Sequence, residues 1–228
     1  MTTIPFEQPF FTVDNVLFSI KNDTLHVLLV QRAAPPFDGN WSLPGGFIDI
    51  NEDKNVQDAA MRKLQHKAGL TPSYLEQLEV FSGKDRDPRG YSVSLAFFAL
   101  VPFAEVASNI VTVSQAKWWL MSDLANLTLA FDHKHIIARA HQRLMQKALY
   151  SMLPVFCLPE TFTVGQLKNV IEAILGKEIQ RKSLMRRIEA SDMFIQTEHK
   201  IASGGRQAQL YQLKPGVDIT HFNRNMGA

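Results

Sequence analysis

Hydrophobic residues follow two kinds of pattern over the first 150 residues of the chain. Runs rich in β-branched and aromatic residues predict β-strands at Val13–Ile20, Leu25–Gln31, Leu78–Ser82, Tyr91–Val101 and Ala116–Leu120. The first two runs flank the polar turn Lys21–Thr24, which predicts a β-hairpin. Helical spacing predicts α-helices over Asn55–Lys67 and over Asp132–Tyr150, with Asp132 as a candidate N-cap. Because strands and helices alternate, we expect a mixed α/β domain rather than an all-helical or all-β one.

The pattern changes after Tyr150. The segment Leu153–Pro159 carries two prolines that interrupt helix formation, so it divides the chain into domains 1–150 and 151–228. A capping box at Thr163–Gln166 then opens an amphipathic helix that stops at Gly176, and a second helix is predicted over Arg181–Ala190. Two β-compatible runs follow around a Gly-Gly turn. Helix, turn, helix and hairpin in this order predict a C-terminal winged helix-turn-helix.

The composition is that of an ordinary globular protein, with 46% hydrophobic and 20% charged residues among 228. A formal net charge of +2 is too small to indicate a nucleic-acid binder by itself. The single cysteine, Cys157, excludes an internal disulfide framework, and no His or Cys pattern predicts a zinc site. The start of the chain lacks the features of a signal peptide, and the apolar segment Val93–Phe103 is too short to span a bilayer. We therefore expect a cytoplasmic protein without a membrane partner.

The segment from Leu43–Phe47 to Gly69-Leu70 resembles the Nudix box, G-x5-E-x7-R-E-U-x-E-E-x-G-U, in which U is a bulky aliphatic residue. Six fixed positions match, namely Gly46, Glu52, Arg62, Leu64, Gly69 and Leu70. Nine residues instead of seven separate Glu52 from Arg62, so the loop before the helix is longer. The resemblance implies a Nudix-type α/β/α sandwich for the first domain.

The three glutamates of the box helix are replaced in this chain by Lys63, His66 and Lys67. Their spacing places them on one helical face, where a Nudix hydrolase holds Mg²⁺. Ammonium and imidazole groups repel that metal, and they leave no carboxylate to activate water. We therefore predict no catalytic residues, no metal site, no cofactor and no ordinary Nudix hydrolysis.

The two lysines permit two interpretations. Lysine binds phosphate as a point charge, so Lys63 and Lys67 are candidates to replace the metal as partners of a diphosphate. The alternative is that a face without catalytic function drifted to solvated lysines. The sequence leaves both interpretations open.

Two further loops resemble the corresponding loops of Nudix proteins that handle ADP-ribose. Lys84–Gly90 contains an Arg-Asp-Pro-Arg-Gly loop whose arginines either clamp an effector or pair with neighbouring aspartates in a charged turn. In Leu129–His133, Phe131 is a candidate to stack on a base, whereas Asp132 is equally suited to cap a helix. The predicted effector-binding residues are Arg32, Gly45, Gly46, Lys63, Lys67, Arg86, Arg89, Phe131, Asp132 and His133.

The winged helix carries a cluster of basic and polar residues on its second helix and at its wing. These candidate DNA contacts are Arg181, Lys182, Ser183, Arg186 and Arg187 on the helix, and Gly204, Gly205, Arg206 and Gln207 at the wing. A basic helix is also a common solvated face, and winged helices also bind proteins, so the fold alone does not establish DNA binding.

Together the two parts resemble the Nudix-related transcriptional regulators of NAD metabolism, the NrtR family. The tail carries this resemblance in Pro159–Thr163, Ala173–Lys177 and Gly205–Tyr211. It implies a homodimeric repressor that binds a palindromic operator near NAD-biosynthesis or salvage genes and senses ADP-ribose or a related nucleotide. The rival interpretations are an ADP-ribose pyrophosphatase with an accessory winged helix, and a sensor whose winged helix binds protein.

Overall fold

The computed structural model describes residues 8–103, 115–203 and 206–222 together with Met226, and only the backbone of Ser203 and Arg206. The described residues form two compact units. The first takes residues from 1–17, 27–99 and 105–140, and the second from 18–26, 100–104 and 141–228. Residues 18–26, at the turn of the first hairpin, are thus in the same unit as the C-terminal segment. The predicted division of the chain at residue 150 does not include this grouping.

A mixed sheet occupies the N-terminal part of the chain. Its strands are β1 Phe10–Lys21, β2 Thr24–Gln31, β3 Trp41–Ser42, β4 Gly45–Phe47, β5 Tyr74–Gly83, β6 Ser92–Leu100 and β7 Gln115–Leu120. The strand order is β3-β2-β1-β6-β5, with β4 paired to β1 and β7 paired to β2. Every strand predicted from the sequence is present, and the short strands β3 and β4 are additional.

The first hairpin forms where the sequence predicts it. Asn22 and Asp23 connect β1 to β2, and both have positive φ angles of 49° and 55°. This is the geometry of a two-residue type I′ turn, whose twist matches that of the strands, and Asn and Asp tolerate it better than most residues.

Helix α1 spans Val56–Ala68, so each of its ends lies one residue later in the chain than predicted. The Asn55 side chain accepts hydrogen bonds from the backbone N–H groups of Gln57 and Asp58, and Gly69 ends the helix in the left-handed conformation. Ala59 and Ala60 pack with Val13, Leu95 and Phe97 of the sheet. A second helix, α2, follows at His133–Tyr150. Residues 13–19 of β1 and all but one residue of β6 are buried, as in a sheet covered on both faces.

The C-terminal segment forms the predicted winged helix. It comprises β8 Thr161–Thr163, α3 Val164–Leu175, α4 Arg181–Ser191, β9 Phe194–Ser203 and β10 Arg206–Leu213. Thr163 and Gln166 form the predicted capping box, and Gly176 ends α3 with a φ of 64°. The three strands form a separate antiparallel sheet in the order β8-β10-β9. No helix in the described ranges is long and apolar enough to cross a membrane.

Candidate functional site

A cavity of about 250 Å³ lies in the first compact unit, bordered by β1, β4, α1 and the loops that precede β6 and α2. Its lining consists of Thr12, Asp14, Arg32, Leu43, Gly45, Gly46, Phe47, Lys63, Lys67, Arg86, Asp87, Arg89, Phe131 and His133. All the predicted effector residues except Asp132 are among them, although they are far apart in sequence. Their role in binding stays a prediction.

The two glycines of the box bring backbone close to neighbouring groups. Gly45 pairs with Asp14 in the β1–β4 register. A Cβ added at Gly45 would lie 2.3 Å from Asp14 Oδ1 and 2.4 Å from the Val13 carbonyl oxygen. Gly46 has a φ of 142°, which favours glycine, and faces the Lys63 side chain. The glycines therefore allow β4 to approach the Lys63 side chain in the middle of α1 and the Asp14 carboxylate of β1.

Lys63 and Lys67 lie on the cavity side of α1, and both ammonium groups are partly withdrawn from water. Burial lowers the pKa of Lys63, and the nearby Arg62 lowers it further. Burial also lowers the pKa of Lys67, with Lys63 and Arg32 adding to the effect. His66 is exposed and does not line the cavity. Both lysines therefore border the cavity, and this face of the helix carries two cations there rather than three groups. Their role as partners of a diphosphate stays a prediction.

Arg32 and Phe131 form one wall of the cavity. The Arg32 guanidinium lies 4.9 Å from the Phe131 ring centroid, and its Nε donates to the Pro36 carbonyl at 2.7 Å. Burial lowers the pKa of Arg32, and the charge of Arg89 lowers it further. Phe131 has a φ of 53°, which is rare for a bulky residue, and Phe37 packs against it edge to face. Such strain is concentrated at functional sites in proteins.

Arg86 is held inside the protein by several oxygens at once. It binds both carboxylate oxygens of Asp132, at 3.0 Å and 2.9 Å, and donates to the Ser92 hydroxyl at 3.0 Å. A second carboxylate, that of Asp14, lies 3.7 Å away. The Asp132 carboxylate therefore faces Arg86, whereas its backbone carbonyl accepts from the first turn of α2. Asp132 marks the start of the helix as predicted, but its side chain pairs with Arg86.

Asp14 is a buried member of the cavity that the sequence analysis did not identify. Its carboxylate accepts from the Ser94 hydroxyl at 2.6 Å and lies 3.4 Å from His133 Nε2. His133 Nδ1 accepts from the Leu43 backbone N–H, so the neutral ring carries its proton on Nε2. Burial raises the pKa of Asp14, but His133, Ser94 and Arg86 outweigh it and hold that pKa below its ordinary value.

Arg89 pairs with its near neighbour in the loop, as the alternative interpretation of this loop proposed. Its Nε and Nη2 bind the two oxygens of Asp87 at 3.0 Å and 2.7 Å. The guanidinium also lies 5.6 Å from the Phe10 ring and 5.2 Å from the Phe47 ring. The hydrogen bonds that Arg89 donates to the Asp87 carboxylate raise the pKa of Arg89. Arg89 is thus paired within the loop and Arg86 with a distant carboxylate, and both line the cavity. Their role as an effector clamp stays a prediction.

The longer loop before α1 gives Arg62 a partner other than the glutamate of the box. Arg62 binds Asp53 through Nε at 2.7 Å and Nη2 at 2.6 Å, whereas its Nε lies 3.5 Å from the exposed Glu52. The hydrogen bond from Arg62 lowers the pKa of Asp53 to about 2. The Asp49 backbone N–H also donates to Asp53, so this carboxylate fixes the loop to the helix.

Asp53 should therefore make the free energy of unfolding depend on pH. We expect Asp53→Asn to lower the free energy of unfolding at pH 7 by on the order of 2 kcal/mol, because one pKa unit corresponds to about 1.4 kcal/mol. The folded-state pKa is depressed, so the contribution is complete above the unfolded pKa of about 4 and disappears as the pH falls toward about 2. Urea unfolding at pH 7, 5 and 3 measures this, with Glu52→Gln as a control expected to change little. A difference that does not vary with pH would contradict the assignment.

Within residues 8–103, 115–203 and 206–222, no group of three or more His, Cys, Asp and Glu side chains is arranged to hold a metal ion.

The second candidate site is the outer face of α4. Arg181, Lys182 and Arg186 are exposed, and Ser183 is half-buried. Arg187 is buried, with 8% of its surface exposed, and its Nη1 donates to the Leu149 carbonyl at 2.8 Å. Its inclusion among the predicted DNA contacts is therefore wrong for this arrangement: helical spacing turns it inward, one residue past Arg186.

The wing is only partly described. The predicted contacts Gly204 and Gly205 lie outside the described residues, and Arg206 is described by its backbone alone. Gln207 is exposed and, with Arg181, lines a second cavity of about 470 Å³ formed by α3, α4 and β10. The structure therefore brings the first residue of α4 and strand β10 of the wing to one concave surface.

Comparison with known protein families divides the chain in the same order. A model of the NUDIX domain matches residues 11–140, and a model of the NrtR DNA-binding winged helix domain matches residues 154–213. The chain is 37% identical over 207 residues to the ADPR responsive transcriptional repressor NtrR of Acinetobacter baylyi, covering 91% of this chain and 83% of that protein.

Solved structures agree with this comparison. The crystal structure of Shewanella oneidensis NrtR complexed with a 27mer DNA matches with a TM-score of 0.87 and 45% identity, over 95% of this chain and 99% of that chain. The NUDIX domain of the same protein complexed with ADP ribose matches with a TM-score of 0.59 and 42% identity, over 61% of this chain and 90% of that chain. The prediction of a Nudix domain followed by a winged helix is confirmed.

Proposed function

The chain belongs to the NrtR family of Nudix-related transcriptional regulators, and on that premise we propose that it is a DNA-binding repressor that senses ADP-ribose or a related nucleotide. Its targets in this proposal are NAD-biosynthesis or salvage genes. Sensing belongs to the Nudix domain and operator binding to the winged helix. In this proposal the chain binds both the nucleotide and the operator in the cytoplasm.

The observation that carries the sensing role is the excess of positive charge in the first cavity. Among the described residues, its lining holds five cationic side chains and two carboxylates. Burial lowers the pKa values of Lys67 and Arg32; Lys63 and Arg32 lower that of Lys67 further, and Arg89 lowers that of Arg32 further. The cavity therefore holds these cations at an electrostatic cost in the absence of an anion. A diphosphate relieves that repulsion, and Phe131 offers an aromatic face to the rest of a nucleotide.

The cationic side chains of the cavity also support the proposal that the nucleotide is bound but not hydrolysed. Nudix hydrolysis uses carboxylate oxygens on the box helix to hold a divalent cation that activates water. In this chain the ammonium groups of Lys63 and Lys67 lie on that side of α1. They offer positive charge to the ligand, but neither acts as a base. Repressors are among the relatives that match nearly the whole chain. We infer that the cavity keeps the nucleotide intact.

The exposed cations of α4 carry the DNA-binding role. Arg181, Lys182 and Arg186 form a basic face suited to phosphates and base edges in the major groove, with Gln207 beside them at the wing. The Shewanella oneidensis relative was crystallised with DNA. A homodimer on a palindromic operator is the arrangement that we propose, because one small winged helix offers few specific contacts and two-fold symmetry doubles them.

Operator binding with and without effector tests this function. A duplex selected by the full-length chain from a random-sequence library serves as operator, and fluorescence anisotropy measures its affinity. We expect saturating ADP-ribose to weaken this affinity by roughly 5- to 150-fold, the usual range of allosteric coupling. Operator should weaken ADP-ribose binding by the same factor.

Two controls accompany this measurement. ADP-ribose incubated with the protein and Mg²⁺ or Mn²⁺ should be recovered intact, and release of AMP would instead identify a hydrolase. Operator affinity should also fall steeply with salt, as counterion release requires. An operator affinity that saturating ADP-ribose leaves unaltered would refute the sensing role.

A further inference from the structure

The buried arginine of α4 lies at the junction of three elements of the second compact unit. Its Nη1 donates to the Leu149 carbonyl at the end of α2, and its guanidinium lies 4.6 Å from the ring of Phe222 in the C-terminal tail. We propose that Arg187 is a positioning residue for DNA binding, which joins the recognition helix α4 to the end of α2 and to the tail 214–222. This inference rests on the proposed function.

The end of α2 is a natural attachment point for a cation. The last carbonyls of a helix have no partner within the helix and carry its partial negative charge. Two of them are satisfied from the C-terminal side: Phe222 N–H of the tail donates to the Tyr150 carbonyl at 2.6 Å, and Met226 N–H, beyond the tail, donates to the Leu149 carbonyl at 2.7 Å. Arg187 adds a charged donor to the same Leu149 carbonyl. The end of α2 is thus bound by both the recognition helix and the tail.

The tail also grips the C-terminal end of α4. The Thr220 hydroxyl donates to the Ser191 carbonyl at 2.9 Å, and Lys214 N–H donates to the Met193 carbonyl at 2.8 Å. Lys214 Nζ further pairs with Asp192, the residue that ends α4. The tail therefore joins the ends of two helices, and all of it lies beyond the winged-helix match at residues 154–213.

The consequence concerns the exposed face of α4. Arg187 follows Arg186 directly, so fixing the inner arginine fixes the rotation of the helix that presents its exposed neighbours. Arginine suits this role because one planar group donates to a carbonyl and stacks on an aromatic ring at the same time. Lysine retains the charge but not that combination.

The test separates positioning from direct DNA contact. Arg187→Met, Arg187→Lys and Phe222→Leu are compared with Arg186→Ala, an exposed neighbour on the same helix, using the selected operator and a random duplex. Arg186→Ala should reduce the salt slope on both duplexes by about 0.9, as expected when one phosphate contact is lost. Arg187→Met should leave the slope on the random duplex unchanged and weaken operator binding roughly tenfold.

The milder variants extend the test if Arg187→Met does not fold. Phe222→Leu removes only the ring contact and should weaken operator binding roughly threefold. Arg187→Lys should fall between wild type and Arg187→Met. In all three variants the affinity of the DNA-free protein for ADP-ribose should equal that of wild type.

Three results would overturn the inference. A reduced salt slope for Arg187→Met on the random duplex would identify a direct phosphate contact. Lower thermal stability with an unchanged ratio of operator to random-duplex affinity would identify a structural role alone. A wild-type chain with no preference for any selected duplex would refute the proposed function itself, which distinguishes that failure from failure of the positioning role.

Discussion

Replacement of both cavity lysines, as Lys63→Ala/Lys67→Ala, should reduce the affinity for ADP-ribose by roughly 100-fold. Each hydrogen bond from a charged donor is worth about 1.5 kcal/mol or more, and two such losses amount to about 3 kcal/mol. Isothermal titration calorimetry with the DNA-free chain measures the effect. Operator binding should persist in this variant but lose its response to ADP-ribose.

The structure supplies a matched control for the lysine variant. Lys54→Ala/Lys177→Ala removes the same charge from two exposed positions outside the described cavities, and it should leave ADP-ribose affinity within a few-fold of wild type. The free energy of unfolding of Lys63→Ala/Lys67→Ala should be unchanged or higher, since two partly buried cations that repel each other are removed. Equal affinities in both double variants would rule out the role of these lysines as phosphate partners.

Substitution of Gly45 by alanine should be the most damaging single change in the cavity for folding. The added Cβ would lie 2.4 Å from the Val13 carbonyl oxygen, which belongs to the backbone of a central strand, and 2.3 Å from a carboxylate that Ser94 already holds. Neither atom can yield without disturbing β1. We expect a loss of about 3 kcal/mol in the free energy of unfolding, at the upper end of typical overpacking effects, measured by urea unfolding at pH 7.

Gly165→Ala is the appropriate comparison for that substitution. In the first turn of α3, the nearest atom to an added Cβ is the Thr163 hydroxyl oxygen at 3.6 Å, an ordinary contact. Alanine is a better helix former than glycine, so this variant should gain about 0.5–1 kcal/mol. If Gly45→Ala proved as stable as Gly165→Ala, the close packing of β4 on β1 would be incorrect.

In the proposed mechanism, Arg86 is the residue through which effector binding in the cavity affects α2. A phosphate that competes for this guanidinium would draw it from Asp132, the residue immediately before α2. The helix is continuous from His133, which lines the cavity, to Tyr150, whose carbonyl binds the tail. The effector must bind the two states of this connection with different affinities for such a route to operate.

Local features of the sequence were sufficient for most of the secondary structure. The Asn-Asp turn, the Thr163 capping box and the glycine that ends α3 each act within a few residues, so short segments predict them. The same holds for the substitutions at Lys63 and Lys67, because the helical period alone places them on the face where the box carries glutamates. The order of elements and the two motifs were likewise enough to identify the family.

Only the tertiary structure decided which groups meet. Asp14 joins Ser94 across 80 residues of sequence, Arg86 joins Asp132 across 46, and Arg187 joins Leu149 across 38. The sequence analysis grouped Arg187 with Arg186 because the two are adjacent and basic, and only the packing shows that Arg187 faces inward. Likewise, the sequence could not show that Lys63 and Lys67 are half-buried, because burial depends on strands and loops contributed by distant parts of the chain.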